Sequence, residues 1–177
     1  PAASSMRSST STALVEVSIP SSVDEIGSCA FNYCTALSSI VIPDSVTEIE
    51  EGAFSECRAL TTVVLPNSLT EISDYLFSCC ASLSSILIPD SVTEIETGAF
   101  QRCTSLLSIV IPDSVTEIED IAFSECSALR SVLLPASVTE IGVGAFDKCP
   151  NLTLTVFRNS YAERYAQRNH IPYTYAD

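Results

Sequence analysis

The chain has 177 residues, of which 46% are hydrophobic, and its 22 acidic and 8 basic side chains give a net charge of −14. This length and composition predict one domain with a substantial core. The acidic excess argues against nucleic acid and anionic membranes as partners, and no apolar run approaches the roughly 18 residues of a spanning helix, so we expect no direct membrane insertion.

The start of the chain, residues 1–13, is rich in Ser, Thr and Ala and lacks hydrophobic periodicity. Such a segment buries too little apolar surface to order itself, so we predict a flexible leader over residues 1–13. The sequence begins at Pro1 with neither an initiator methionine nor a signal peptide, and we therefore expect a mature form or a fragment.

Between residues 14 and 157 the sequence repeats every 23 residues without insertion or deletion. Three columns of the repeat hold one proline, one phenylalanine and one cysteine per unit. They comprise Pro20, Pro43, Pro66, Pro89, Pro112 and Pro135; Phe31, Phe54, Phe77, Phe100, Phe123 and Phe146; and Cys34, Cys57, Cys80, Cys103, Cys126 and Cys149. A strict period of this length is typical of a solenoid, in which each unit buries its apolar face against its neighbours.

The unit formed by residues 37–59 shows how one repeat is expected to fold. Its opening, L-x-x-I-x-I, matches the strand segment of a leucine-rich repeat. Because side chains alternate along a strand, Ile40 and Ile42 are predicted to point inward and Val41 outward. Stacking of such strands predicts a parallel inner sheet.

The remainder of the unit predicts shorter elements. Pro43 ends the strand, because proline donates no hydrogen bond to a ladder. Residues 46–49 predict a second extended segment, and the apolar spacing over residues 52–57 predicts one helical turn on the opposite side. We therefore predict a leucine-rich-repeat solenoid of the α/β class, rich in strands. It is expected to be a right-handed stack of about six to seven units with a parallel inner sheet, short extended or helical turns outside and a C-terminal helical cap.

One unit departs from the pattern, because Leu76 stands where the other units have alanine. A larger residue in a packed column forces its neighbours to adapt. We predict a local bulge or repacking around residues 74–77, and a specialised site there is the alternative. The recurring phenylalanines are predicted to form core rather than an aromatic binding strip.

At the C-terminal end the repeat gives way to different patterns. Residues 152–156 alternate between apolar and polar, which predicts a final strand with one exposed face. Ser160 and Glu163 have the spacing of a capping box, which predicts a helix over about residues 161–169 within a cap of residues 158–177. One face of this helix is expected to cover the last repeat, and it carries Tyr161, Ala162, Tyr165 and Ala166.

The eight cysteines suggest disulfides by number but not by position. The cysteines of the repeat column occupy a site that needs a small buried residue, and free cysteine is among the residues most often buried. We therefore expect buried, unbridged thiols there, with only Cys29 and Cys79 outside the column. Some bridging stays open as an alternative, and the count does not decide the redox compartment.

The recurring pattern IxIPxSVTEIxxxAFxxCxxL resembles the BspA-like leucine-rich repeat family. It is seen at residues 86–95 followed by Ala99, Phe100 and Cys103, and the similarity covers about residues 14–152. The segment Ser160–Ala166 looks like the short helix that often closes these solenoids. The resemblance implies an extracellular or cell-surface protein that binds other proteins or host matrix, and it supplies no catalytic residues.

Two columns on the predicted inner strands are candidates for partner binding. The outward-facing column is apolar and comprises Val41, Val64, Leu87, Val110 and Leu133. The column beside it carries hydroxyl groups and comprises Ser39, Thr62, Ser85, Ser108 and Ser131. A contiguous exposed apolar surface usually marks an interaction site. The alternative is that β-branched residues here only stabilise the strands.

A third column is acidic throughout, which predicts a row of carboxylates about 5 Å apart. It comprises Glu25, Glu48, Glu71, Glu94, Glu117 and Glu140. This acidic strip is either a solvated edge that discourages aggregation or a surface that attracts basic partners or divalent cations. A straight row does not supply the preformed oxygen cluster that calcium prefers, so we predict no metal site.

We find no arrangement of nucleophile and base in the sequence, and His170 is the only histidine. We therefore predict a protein that is not an enzyme and needs no cofactor. The leading hypothesis is a protein-binding or adhesion module whose inner sheet engages a host protein, a second copy or a glycan. The alternative is a structural spacer within a larger surface protein, and the oligomeric state is left open.

Overall fold

The computed structural model describes residues 13–176, so the predicted leader, apart from Ala13, lies outside the described residues. The described chain is a strand-rich solenoid of about seven turns with one C-terminal helix. Its elements in chain order are β1 (Glu16–Ser18), β2 (Glu25–Ile26), β3 (Ser39–Val41), β4 (Glu48–Ile49), β5 (Thr62–Val64), β6 (Glu71–Ile72), β7 (Glu94–Ile95), β8 (Ser108–Val110), β9 (Glu117–Ile118), β10 (Ser131–Leu133), β11 (Glu140–Ile141), β12 (Thr153–Val156), α1 (Tyr161–Arg168) and β13 (Tyr173–Tyr175).

Two faces of the solenoid are built from parallel strands: the predicted inner sheet, and a second sheet formed by the short extended segments. The inner sheet runs β1-β3-β5 and then β8-β10-β12-β13, and the second sheet runs β2-β4 and then β6-β7-β9-β11. Strands of adjacent repeats pair in register, so that Ser39 lies opposite Thr62 and Glu94 opposite Glu117. Each column of the sequence therefore becomes a row of side chains along the solenoid. The inner sheet is not continuous, because residues 85–87 form no strand.

The third face consists of tight turns, where the sequence predicted a helical turn. Gly52 and Glu56 both have left-handed φ angles, of 61° and 62°. In this conformation, N–H groups bond alternately across and within repeats. The N–H of Phe54 donates to the carbonyl of Leu76 in the next unit at 3.1 Å, and the N–H of Cys57 donates back to Phe54 at 3.3 Å. The turns thus form a third hydrogen-bonded ladder along the stack.

The core is a ladder of stacked phenylalanines that runs through the centre of the solenoid. The ring centroids of Phe31 and Phe54 are 5.2 Å apart, with the planes inclined by 4°. Stacked aromatic side chains bury a large apolar area, and burial of each is worth roughly 1.5–3 kcal/mol. The prediction that this column is core agrees with the structure.

The cysteine column lies beside this ladder, and five of its six members are buried, with Cys149 half-buried. Each thiol from the second unit onward donates to a phenylalanine carbonyl of the preceding unit; for Cys103 and Phe77 the distance is 3.2 Å. Burial raises the pKa of the Cys57 thiol to about 12, despite a hydrogen bond that opposes the shift. The column therefore holds protonated thiols that connect neighbouring repeats.

The C-terminal helix closes the core as predicted, ending one residue earlier than expected. The N–H of Glu163 donates to the Ser160 hydroxyl at 3.1 Å, which is half of a capping box. The Glu163 carboxylate accepts from the N–H of Asn159 instead of that of Ser160. Tyr165 is buried, and its ring meets Phe146 edge-on with centroids 6.2 Å apart. The helix thus places an aromatic ring over the last member of the phenylalanine ladder.

Candidate functional site

The apolar column of the inner sheet faces solvent rather than the core. We define it as the apolar stripe: Val41, Val64, Leu87, Val110 and Leu133. The first four side chains are 63%, 48%, 80% and 63% exposed in that order, and Leu133 is half-buried. The members in strands pair in register, Val41 with Val64 and Val110 with Leu133. The described chain therefore leaves a row of aliphatic side chains in contact with solvent.

The hydroxyl column runs parallel to the stripe at the start of the same strands. We define it as the hydroxyl row: Ser39, Thr62, Ser85, Ser108 and Ser131. All of its members are exposed. Within residues 13–176, no hydrogen bond occupies their side-chain oxygens, whereas the hydroxyls of Ser45 and Ser68 bond to carbonyls of the preceding unit. The row is therefore available to bond with a ligand or with water.

Two further exposed apolar side chains lie next to the inner strands and are not predicted by the repeat pattern. Val15 and Leu107 each precede an inner strand by one position and are 58% and 49% exposed. Other units carry Ser, Thr or Arg in this column, so its apolar character does not recur along the sequence. Their exposure and their position directly before β1 and β8 place them at the edge of the inner sheet.

The acidic strip lies on the second sheet, where its carboxylates are stacked in register. Glu25, Glu48 and Glu140 are exposed, and the central members are half-buried. Burial raises the pKa of Glu71, and the charges of Glu94 and Glu48 raise it further. The strip is therefore a solvated edge only at its ends.

A second acidic column beside the strip was not anticipated, and its carboxylates bond to neighbouring turns. Glu96 Oε2 accepts from the N–H of Asp74 at 2.9 Å, and Glu119 Oε2 accepts from the N–H of Thr97 at 3.1 Å. Burial and the nearby charge of Glu71 raise the pKa of Glu96 to about 7. Among residues 13–176, no group of three or more His, Cys, Asp or Glu side chains is arranged to hold a metal ion. The bonds of these carboxylates connect repeats.

The single histidine lies in an open cleft of about 350 Å³ between the last repeat and the cap, which Cys149 also lines. The Cys149 thiol donates to the carbonyl of Phe123 at 3.1 Å. Burial raises the pKa of this thiol to about 11. The nucleophilic thiolate is therefore scarce at neutral pH, and the juxtaposition of Cys149 and His170 does not form an activated pair.

The longest helical segment of the described chain is α1, which has eight residues. Between residues 13 and 176, no helix is long and apolar enough to cross a membrane.

Comparison with known protein families identifies the repeat. The model for the BspA type leucine-rich repeat region matches six copies, over residues 7–107 and 70–166. No curated protein matches the chain in sequence.

Solved structures of bacterial leucine-rich repeat proteins have the same fold. A leucine-rich repeat protein from Bacteroides ovatus is 29% identical over 92% of this chain and 40% of its own, with a TM-score of 0.78. A leucine-rich cell surface protein from Faecalibacterium prausnitzii is 43% identical over 64% of this chain and 30% of its own, with a TM-score of 0.63. The T. pallidum leucine-rich repeat protein is 34% identical over 75% of this chain and 52% of its own, with a TM-score of 0.50. The chain thus spans less than two thirds of each of these proteins.

Proposed function

The chain belongs to the BspA-type leucine-rich repeat family, and on this premise we propose that it is a non-enzymatic protein-binding or adhesion module of a surface-exposed or secreted protein. The partner contacts the inner sheet through the apolar stripe and the hydroxyl row. The observation that carries this proposal is the exposure of the stripe, which reaches 80% at Leu87. A surface location is supported by the likeness to the F. prausnitzii protein, which is described as a cell surface protein.

The chemistry of the inner face indicates what kind of partner it suits. Where the inner strands pair, as for Val41 with Val64 and Val110 with Leu133, its aliphatic side chains recur at about 4.8 Å, the spacing of neighbouring strands. A protein partner that covers this row loses apolar surface to solvent and can bond to the parallel row of hydroxyls. Central apolar side chains usually dominate the energy of such an interface. The net charge of −14 favours partners with basic groups around the contact.

The test compares two folded variants that change different faces. Leu87→Glu places a charge in the middle of the stripe, and Glu94→Lys reverses a charge on the acidic strip of the other sheet. Each is immobilised beside the wild type and probed with purified extracellular matrix proteins and a glycan array, with circular dichroism as the control for folding. We expect Leu87→Glu to abolish binding, whereas Glu94→Lys changes its salt dependence more than its affinity.

Retention of full binding by a folded Leu87→Glu variant would exclude the inner sheet as the binding surface. Sedimentation of the same variants tests whether a second copy is the partner, because Leu87→Glu would then abolish self-association.

The alternative function is a structural spacer within a larger surface protein. It is favoured by the regular period of the repeats, since paired strands follow one another at the same 23-residue interval, as in Glu94 with Glu117. A spacer has no ligand of its own, and its inner face would bind no probe in the same experiment.

A further inference from the structure

The unit that contains Leu76 differs from its neighbours in the size of one buried side chain. Leu76 is fully buried in a column where every other unit has alanine. The ring of Phe77 in this unit lies 5.8 Å from that of Phe54 and 5.6 Å from that of Phe100. The other neighbouring rings of the ladder are 5.2 Å apart. The ring of Phe77 therefore lies farther from both neighbouring rings than any other ring of the ladder does.

Both sheets are interrupted beside this unit. The second sheet stops between β4 and β6, and the inner sheet stops between β5 and β8. At the second sheet, the hydroxyl of Ser73 donates to the carbonyl of Ile49. The preceding unit uses its backbone at the same place, where the N–H of Glu50 donates to the carbonyl of Ile26 at 2.9 Å. A side chain thus spans a gap that the backbone closes elsewhere.

On the inner face, the interruption falls on residues 85–87, which have the sequence of an inner strand. Ile86 is only half-buried, whereas the side chains at the same position of neighbouring units are buried: Ile40, Val63, Ile109 and Val132. In the described part of the chain, no N–H group of residues 85–87 donates to a neighbouring strand. The segment therefore lacks both the pairing and the full burial of its equivalents.

The face made of turns stays continuous across the same unit. The N–H of Phe54 donates to the carbonyl of Leu76 at 3.1 Å, and the N–H of Phe77 donates to that of Ala99 at 2.8 Å. The ring of Tyr75 covers Gly98 so closely that a Cβ at this glycine would collide with it. The unit is thus joined to both neighbours on the turn face, whereas on each sheet face it pairs with one neighbour only, through β5 with β3 and β6 with β7.

We infer that Leu76 builds a flexure into the solenoid. The repeats before and after this unit move as two blocks about the continuous ladder of turns, and the inner face opens first at residues 85–87. The physical cause we infer is the isobutyl group of Leu76, which is larger than the alanine methyl group of the other units and lies in the core beside the widened ring spacing and the missing strand pairings. Segments with unpaired backbone and half-exposed core side chains have low free energies of local opening. Because Leu87 lies in this segment, the flexure alters the curvature of the apolar stripe, but its existence depends on no partner.

Hydrogen exchange of the full chain, followed by mass spectrometry, tests the flexure. In the wild type, amides of residues 85–88 are expected to exchange at least about tenfold faster than those of residues 108–111, since local opening spans a wide range of free energy. Leu76→Ala restores the alanine column and is expected to slow exchange at 85–88 towards that at 108–111. Leu76→Val removes less volume and is expected to give an intermediate rate, which decides the matter if the alanine variant does not fold.

Leu129→Val is the matched control, because it shortens a buried leucine in a regular unit. It is expected to leave the ratio of the two exchange rates unchanged. Equal rates at the two segments in the wild type would overturn the inference. The same holds if neither substitution of Leu76 lowers the ratio, since Leu76 would then not be the cause of the gap.

Discussion

The carboxylate of Glu96 shows how stacking changes the chemistry of a single residue. It accepts a hydrogen bond from the N–H of Asp74, yet burial and the charge of Glu71 raise its pKa from 4.5 to about 7. The folded state therefore holds this proton more tightly than the unfolded chain does. Between pH 4.5 and about 7, unfolding releases a proton, so the stability contributed by protonated Glu96 is lost as pH rises through this range.

We predict that Glu96→Gln raises the melting temperature at pH 8 and flattens its dependence on pH between 5 and 8. Glutamine cannot ionise but still offers an oxygen to the N–H of Asp74. Some slope remains, because the pKa of Glu71 and that of Glu117 are also raised, in both cases mainly by burial. Thermal unfolding across the pH range measures the effect, with Glu25→Gln on an exposed position as the control. A pH profile identical to that of the wild type would show that Glu96 is not perturbed by its neighbours.

At the scale of elements, the C-terminal helix protects a core that the repeats alone leave open. Its buried face, formed by Ala162, Tyr165 and Ala166, lies against the last repeat. Terminal units of a solenoid need such a cover, because an exposed end of the core is costly and promotes association. The edge-on contact of Tyr165 with Phe146 makes this tyrosine the central residue of the cap.

We predict that Tyr165→Ala destabilises the protein by about 3 kcal/mol, the typical cost of truncating a buried aromatic side chain. The same substitution at Tyr161, which is half-buried one helical turn earlier, is the matched control and is expected to cost clearly less. Chemical denaturation of both variants measures the difference, and sedimentation reports the association that exposure of Phe146 causes. Equal losses for the two tyrosines would contradict the role of Tyr165 as the lid.

The elements also show which parts of the fold the sequence could predict. The inner strands and the phenylalanine ladder follow from alternation and a strict period, so Ile109 is buried and Val110 exposed as expected. The sequence predicts a helical turn where the structure has tight turns, because the apolar spacing suits both and residues such as Glu56 carry no sequence signal of a left-handed φ. Strand β13 was missed because its pairing with β12 depends on the path of the cap.

For the candidate site, alternation along the strands was sufficient to predict the stripe. The second acidic column was not predicted, since the bond between Glu96 and Asp74 joins residues 22 positions apart and has no local signal. The gap in the inner sheet at residues 85–87 could not be predicted either, because these residues have the composition of a strand. Leu76 is a visible departure from the repeat, and the predicted repacking around it agrees with the wider ring spacing beside Phe77. The alternative prediction of a bulge does not agree with the structure, because the hydrogen bonds between turns continue through this unit.

At the scale of the whole molecule, repetition converts each sequence column into a row of side chains along one face. One face becomes a row of aliphatic and hydroxyl groups, and another becomes a row of carboxylates. The proposed function depends on the first of these, and hence on the assignment of each inner strand to a buried side and an exposed side. Strand β8 offers the cleanest place to test this assignment, because Ile109 is 3% exposed and the adjacent Val110 is 63% exposed.

Thermal and chemical unfolding of the pair Val110→Glu and Ile109→Glu therefore tests the account most directly. We predict that Val110→Glu changes the free energy of unfolding by no more than about 0.5 kcal/mol, as surface substitutions usually do. Ile109→Glu buries an unpaired charge and is predicted to cost more than about 4 kcal/mol or to prevent folding. Comparable losses for the two variants, or a greater loss for Val110→Glu, would contradict both the fold of the inner sheet and the binding surface proposed on it.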